Sequence, residues 1–241
     1  MEIDMNYGVV VAGGVGTRMG ADKPKQFLNI GNKPIIVHTV EKFVLCNELE
    51  KIVVLTPEDW ISFTKDLLRK HLGEGLMKRV AVIEGGATRN ETIMNAIAYI
   101  EENYGLDDDT IILTHDAVRP FVTHRIIKDN IEAVKKYGAT DTVIAATDTI
   151  VESKDGDIIS MIPDRSKMYQ GQTPQSFRAK ELRDTYNALT EDEKNILTDA
   201  TKIYVLKGKP VKLVKGESFN IKITYPYDLE VAETLLKGES K

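Results

Sequence analysis

The sequence predicts a single α/β domain across residues 1–241, built on a doubly wound, mostly parallel sheet. Three observations carry this. Short β-branched apolar runs recur at strand length, and segments with helical apolar spacing separate them. The alternation then breaks once, at an Asp155-Gly156 hairpin signal, before it resumes.

Tyr7 to Ala12 reads as a buried strand that ends in Gly13-Gly14. Pro34 sits where a first helical turn tolerates a missing N–H, and Ile36, Val40, Phe43 and Val44 follow on one helical face. Ile52 to Leu55 is a second strand, a helical stretch runs through His71, and Val80 to Ile83 is a third strand. Thr88 and Glu91 fit a capping box ahead of the helical face Ile93, Ala96, Ile97 and Ile100. Thr110 to Thr114 and Thr142 to Ala146 are the fourth and fifth strands, around a helix marked by Ile127, Ile131 and Val134. Thr149 to Ser153 and Asp157 to Ile162 then form a projecting β-arm, at about 148–171. The chain returns through Gln172 to Phe177, two polar helical segments, a strand near Val211 to Val214 and a helix after Pro226.

Composition narrows the function classes. Acidic residues (37) outnumber basic ones (32) and the two are mixed along the chain, so no basic face awaits nucleic acid. Cys46 is the lone cysteine, and the four histidines lack zinc spacing, which points to a reducing compartment without structural zinc. The start Met1-Glu2-Ile3-Asp4 is not a signal peptide and no apolar run reaches bilayer length, so a cytoplasmic location away from membranes is expected.

Three segments could carry chemistry. In Gly13-Gly14-Val15-Gly16-Thr17-Arg18-Met19-Gly20, glycines would let backbone N–H groups approach a phosphate, and Arg18 and Lys25 would neutralise it. Met19 breaks the dinucleotide fingerprint and no Gly-Lys-Ser/Thr follows for a Walker A loop; a plain tight turn is the competing reading. His115-Asp116-Ala117-Val118-Arg119-Pro120 falls at a strand's carboxyl end, where open sheets bind ligands. Asp116 there could serve Mg²⁺ or a substrate hydroxyl, or merely cap a helix or pair with Arg119, while His115 reads as structural. Gly85-Gly86-Ala87-Thr88-Arg89 opens a helix whose free N–H groups can bind an anion or a base edge. The acidic runs Asp107 to Asp109 and Glu191 to Glu193 read as solvated faces.

The segments AGGVGTRMG, PKQF, THDAVRP, YQGQTPQSF, LTDA and NIKIT, in this order over almost the whole chain, together resemble the cytidylyltransferases of methylerythritol phosphate and ribitol phosphate. The resemblance implies a Rossmann-like nucleotidyltransferase fold that joins CTP to a sugar-alcohol phosphate with Mg²⁺. YQGQTPQSF and DTIVES are closer to the ribitol 5-phosphate branch, which serves teichoic-acid and related wall polymers, so CDP-ribitol is the expected product and methylerythritol 4-phosphate the alternative acceptor. A nucleotide-binding regulator without turnover is the rival from another class.

Carried over by position, the resemblance places nucleotide on Ala12, Gly13, Gly14 and Gly16, with Arg18, Lys25 and Lys222 as the catalytic cations. Gly85, Gly86, Arg89 and Thr92 match the stretch that reads cytosine and ribose, and Asp116, Arg119 and Thr198 match positions near the acceptor. Arg165, on the arm, is expected to reach the acceptor phosphate of a neighbouring subunit, which implies a homodimer. Ala87 departs from the acidic residue common at its position, leaving base recognition to backbone groups.

Overall fold

A computed structural model describes residues 5–14 and 23–239. In chain order the elements are β1 (Asn6–Val11), β2 (Asn29–Ile30), β3 (Lys33–Pro34), α1 (Ile35–Val44), β4 (Lys51–Thr56), α2 (Ile61–Met77), β5 (Val80–Glu84), α3 (Arg89–Tyr104), β6 (Ile111–Asp116) and α4 (His124–Tyr137). There follow β7 (Ala139–Ala145), β8 (Glu152–Ser153), β9 (Ile159–Met161), β10 (Tyr169–Arg178), α5 (Ala179–Asn187), α6 (Glu191–Asn195), α7 (Thr201–Leu206), β11 (Lys212–Lys215) and α8 (Pro226–Glu239).

Among the described residues the main sheet runs β11-β7-β10-β6-β1-β4-β5. Its neighbours pair in parallel except β10, which is antiparallel to both β6 and β7. The expected doubly wound, mostly parallel α/β sheet is therefore present. From β1 the chain builds outward through β4 and β5, then returns to place β6 on the other flank. Strand order reverses between β1 and β6, the place where such sheets open a crevice at their carboxyl ends.

Both faces of the sheet are covered at its centre, which is why β1 and β4 read as apolar runs. One face packs Val10, Val54 and Leu113 against Val40 of α1, Leu68 of α2 and Ile127 of α4. The other packs Val9, Val53, Ile112 and Phe177 against Ile97 of α3, Leu182 of α5 and Ile203 of α7. Each such aliphatic or aromatic side chain contributes about 1.5–3 kcal/mol on leaving water. A third cluster lets α8, through Ala232, clamp Ile30, Ile35, Val118, Phe121 and Ile223.

Local signals explain the boundaries. The Thr88–Glu91 capping box forms as expected and starts α3. Pro34 is the residue before α1 and not within its first turn. The expected end of α2 near His71 coincides with a break at Gly73, whose φ of 74° is left-handed and suits glycine. Three helices, α5 to α7, replace the two polar segments expected, and β2–β3 is a pair of two-residue strands too short to show a period.

The arm is less regular than expected. β8 and β9 pair over only a few residues because side chains at the turn take the backbone donors: Gly156 N–H donates to Ser153 Oγ, and the Asp157 and Ile158 N–H groups to Asp155 Oδ1. Its apolar side chains point outward, with Ile158 69% and Ile162 59% exposed.

Candidate active site

At the switch point a cleft of about 310 Å³ opens between the carboxyl ends of β1 and β6 and the N-terminus of α3. Ala12, Gly13, Gly14, Lys25, Gly86, Arg89, Thr92, Asp116 and Lys222 all line it. Sequence positions from four separate regions thus meet in one place.

The first wall continues β1. Ala12 N–H donates to Leu55 O at 2.7 Å, holding the chain on the sheet one residue past the strand, and Gln26 Nε2 donates to Ala12 O at 2.7 Å. That second bond fixes the short turn Lys25–Phe27 against the glycines and leaves Lys25 at the cleft, 8% exposed. Among the described residues, a Cβ added to Gly13 or Gly14 would meet nothing within 4 Å. Packing against the described residues does not demand glycine at either position, and the backbone of both lines the cleft. Gly16 and Arg18 lie outside the described residues.

The second wall is the entry to α3. A Cβ on Gly86 would fall 2.5 Å from Glu91 Cβ and 2.8 Å from Thr92 N, so only glycine lets this turn lie against the helix start. Gly85 N–H donates to Thr56 O at 2.9 Å, and Gly86 N–H to Thr92 Oγ1 at 2.9 Å. The Thr92 hydroxyl in turn donates to Thr88 O at 2.8 Å. Thr92 is therefore the brace of the Gly85-Gly86 turn, 2% exposed, with its hydroxyl already occupied.

Asp116, the last residue of β6, is the electrostatic centre. Arg89 Nη1 donates to its Oδ1 at 2.7 Å, Lys222 Nζ lies 2.9 Å from Oδ2, and Arg119 Nε lies 3.6 Å from Oδ2. Burial pushes the Asp116 carboxyl up, but Arg89, Lys222 and Arg119 together outweigh it and hold the group below the usual carboxylate range. Arg119 is buried behind this carboxylate, and its Nη1 donates to Asn220 O at 2.8 Å.

Lys222 is delivered by anchors on either side. Asn220 is fully buried, its Nδ2 donating to Thr173 O at 3.0 Å and to Gln172 Oε1 at 3.2 Å. Ile223 N–H donates to Val118 O at 2.9 Å while its side chain enters the third cluster. His115 is structural, as expected. Its Nε2 faces the Arg119 carbonyl at 3.0 Å and so carries the proton, leaving Nδ1 to accept from the Thr173 hydroxyl at 2.9 Å. Burial lowers the His115 pKa to about 4, and the ring is neutral. Thr173 Oγ1 also accepts the Asp116 N–H at 3.1 Å, tying β10 to the site.

Two expected acceptor residues stand apart within one chain. Thr198 is exposed on the turn before α7, and Arg165, on the arm, donates to Thr147 O at 2.9 Å. The described residues hold no group of three metal-ligating side chains, and both Asp116 oxygens already face cations. The side chains present therefore do not form a protein cage for Mg²⁺ around Asp116.

Sequence reasoning missed Thr173 and Asn220, and also Asp141, which feels the charges of Arg89 and Arg119 without lining the cleft, with its partner Gln175. Gln175 Nε2 donates to Asp141 Oδ1 at 3.2 Å. The strand expected from sequence begins at Thr142, and no local signal marks the residue before it.

The chain matches the 2-C-methyl-D-erythritol 4-phosphate cytidylyltransferase (IspD) family over residues 7–238. It is similar to the 2-C-methyl-D-erythritol 4-phosphate cytidylyltransferase of Francisella tularensis at 27% identity, TM-score 0.79, covering 95% of this chain and 99% of that one. The 4-diphosphocytidyl-2C-methyl-D-erythritol synthase of Anaerococcus prevotii aligns at 25% identity, TM-score 0.78, over 97% and 96% of the two chains. The 2-C-methyl-D-erythritol 4-phosphate cytidylyltransferase of Thermus thermophilus aligns at 26% identity, TM-score 0.71, over 95% and 98%. With a glycine-lined cleft at the switch point and cations gathered around one carboxylate, the chain belongs to the IspD family of cytidylyltransferases and acts on a phosphorylated small molecule.

Proposed function

We propose that the protein transfers the cytidylyl group of CTP to the phosphate of a short polyol phosphate, giving a CDP-polyol and pyrophosphate. The observation that carries this reading is the cleft itself. Open glycine backbone on one side suits a triphosphate, and Lys25, Arg89 and Lys222 converge on it beside Asp116. A phosphate oxygen of the acceptor attacks the α-phosphorus of CTP; the new O–P bond forms as the bond to the β-phosphate oxygen breaks. An acceptor phosphate is already anionic near neutral pH, so no general base is needed, and catalysis rests on position and on cations that meet the growing charge. Lys25 and Lys222 supply that charge, with Arg18 assigned alongside them from sequence. Mg²⁺ enters this reading as the counter-ion carried by the triphosphate and not as an ion held by Asp116.

Two acceptors have support. The family description and the names of the similar structures favour methylerythritol 4-phosphate. The segments YQGQTPQSF and DTIVES favour ribitol 5-phosphate and a place in wall-polymer precursor synthesis. The exposed apolar arm supports a homodimer in which Arg165 meets the partner's acceptor, and among the described residues no helix is long and apolar enough to cross a membrane, in keeping with work in the cytoplasm. Pyrophosphate release from CTP, measured with each acceptor and without one, tests the reading: acceptor-dependent release with either supports it, and release with neither overturns it.

A further inference from the structure

We infer that Asp141, together with the Gln175 amide beside it, binds acceptor hydroxyls remote from the phosphate and tilts the enzyme toward ribitol 5-phosphate over methylerythritol 4-phosphate. The inference rests on the polyol-phosphate reading above and deepens it.

The sheet register sets the geometry. Gln175 of β10 lies opposite Thr114 of β6 on one side and Asp141 of β7 on the other. Directly opposed residues share a face, and so do residues two apart on a strand, so Asp116, Gln175 and Asp141 all project from the same side of the sheet. That side is apolar lower down, where Ile112, Phe177 and Ala139 form the core, and becomes polar toward the carboxyl ends of β6 and β7. Two strand spacings, about 10 Å, separate Asp141 from β6, the reach of a short polyol whose phosphate sits among the cations of the cleft.

One buried polar atom beside Asp141 lacks a hydrogen-bond partner. Gln175, 3% exposed, donates through Nε2 to Asp141, yet its Oε1, on the same amide, has no donor. Such an atom is costly to leave unmet, and a structural role for Asp141 as acceptor for Gln175 alone does not account for it.

The charges facing Asp141 come from several elements: Asp199 before α7, Arg89 of α3 and Arg119 after β6. Burial first, and then Asp199, push its carboxyl up to about 6 against the Gln175 hydrogen bond and the two arginines. Such a group can take or give a hydrogen bond near neutral pH, which suits hydroxyls. Ribitol 5-phosphate offers four hydroxyls; methylerythritol 4-phosphate offers three and a methyl group. A methyl set against Asp141 and Gln175 leaves them unpaired, the situation in which hydroxyl-reading sites discriminate most.

The test compares wild type with Asp141→Asn and Asp141→Ala, measuring KM for CTP and for each acceptor separately. The expected result is a fall of about tenfold or more in kcat/KM for ribitol 5-phosphate, expressed in the acceptor KM, with the KM for CTP within about twofold of wild type and a smaller fall for methylerythritol 4-phosphate. The unchanged KM for CTP shows that the variants are folded. Retention of wild-type kcat/KM for both acceptors in both variants, or an equal fall for both, overturns the inference while leaving the proposed function intact. Absence of turnover by wild type with either acceptor overturns the proposed function and this inference with it.

Discussion

Lys222 Nζ lies 2.9 Å from Asp116 Oδ2, joining the carboxyl end of β6 to a segment that enters the site from the far end of the chain. Arg89 and Arg119 share the same carboxylate, so one negative charge holds three cations in place before any substrate arrives.

Removing that charge is predicted to damage both stability and turnover. Asp116→Ala leaves buried Arg119 without its counter-charge, at a cost of roughly 3 kcal/mol, to be read by chemical denaturation. The isosteric Asp116→Asn should keep the fold better, yet lose about a hundredfold in acceptor-dependent pyrophosphate release because the cations are no longer aligned. Wild-type turnover in Asp116→Asn would exclude a role for the carboxylate in the reaction.

A pH-dependent signature is expected at Asp141. Its folded pKa of about 6 lies above the unfolded value, so between about pH 4 and pH 6 the folded chain binds the additional proton and stability from this group falls as pH rises. Asp141→Asn should therefore be more stable than wild type by up to about 2 kcal/mol at pH 7.5, and the difference should vanish near pH 4. His115, with a folded pKa of about 4, acts in the opposite direction across the window from about pH 4 to 6.5 and is common to both proteins, so it cancels in the comparison. Thermal unfolding across pH measures the difference directly.

Gly86→Ala is predicted to act through geometry. The new methyl must displace the Gly85-Gly86 turn from the start of α3, costing about 1–3 kcal/mol and raising the KM for CTP about tenfold or more. Gly13→Ala, where a Cβ meets nothing among the described residues, should fold normally and lose affinity for nucleotide only. A pair of variants that lose stability equally would refute this division.

For the arm, Ile158→Asp combined with Ile162→Asp should yield a monomer by sedimentation velocity at concentrations where wild type is a dimer. Neither side chain is buried within the chain, so the melting behaviour of the isolated subunit should be little altered. A wild-type chain that sediments as a monomer would exclude the dimer.

The parallel framework was legible because strands covered on both faces carry continuous apolar runs, as in Val9 to Val11 of β1 and Ile111 to Leu113 of β6. β10 was harder to read: Tyr169 to Arg178 mixes polar residues with Pro174, and nothing local in such a segment reveals that it enters antiparallel between β6 and β7. Asp116 and the Gly85-Gly86 turn could be found because each sits at an element boundary. Asp141 could not, since its meaning depends on Gln175 and Asp199, which only sheet register and the approach to α7 bring near. Thr92 shows the limit from the other side: it occupies the expected position, but its hydroxyl is committed to the turn.

The third cluster has a consequence for the whole chain. Lys222 is aimed by Ile223, and Ile223 is seated by α8, a helix of 14 residues that adds nothing to the main sheet. The C-terminal helix is therefore a clasp: a chain cut just before Pro226 would keep its β-scaffold and surrender the lysine, so that proteolysis at that point would silence the enzyme well before it unfolded it.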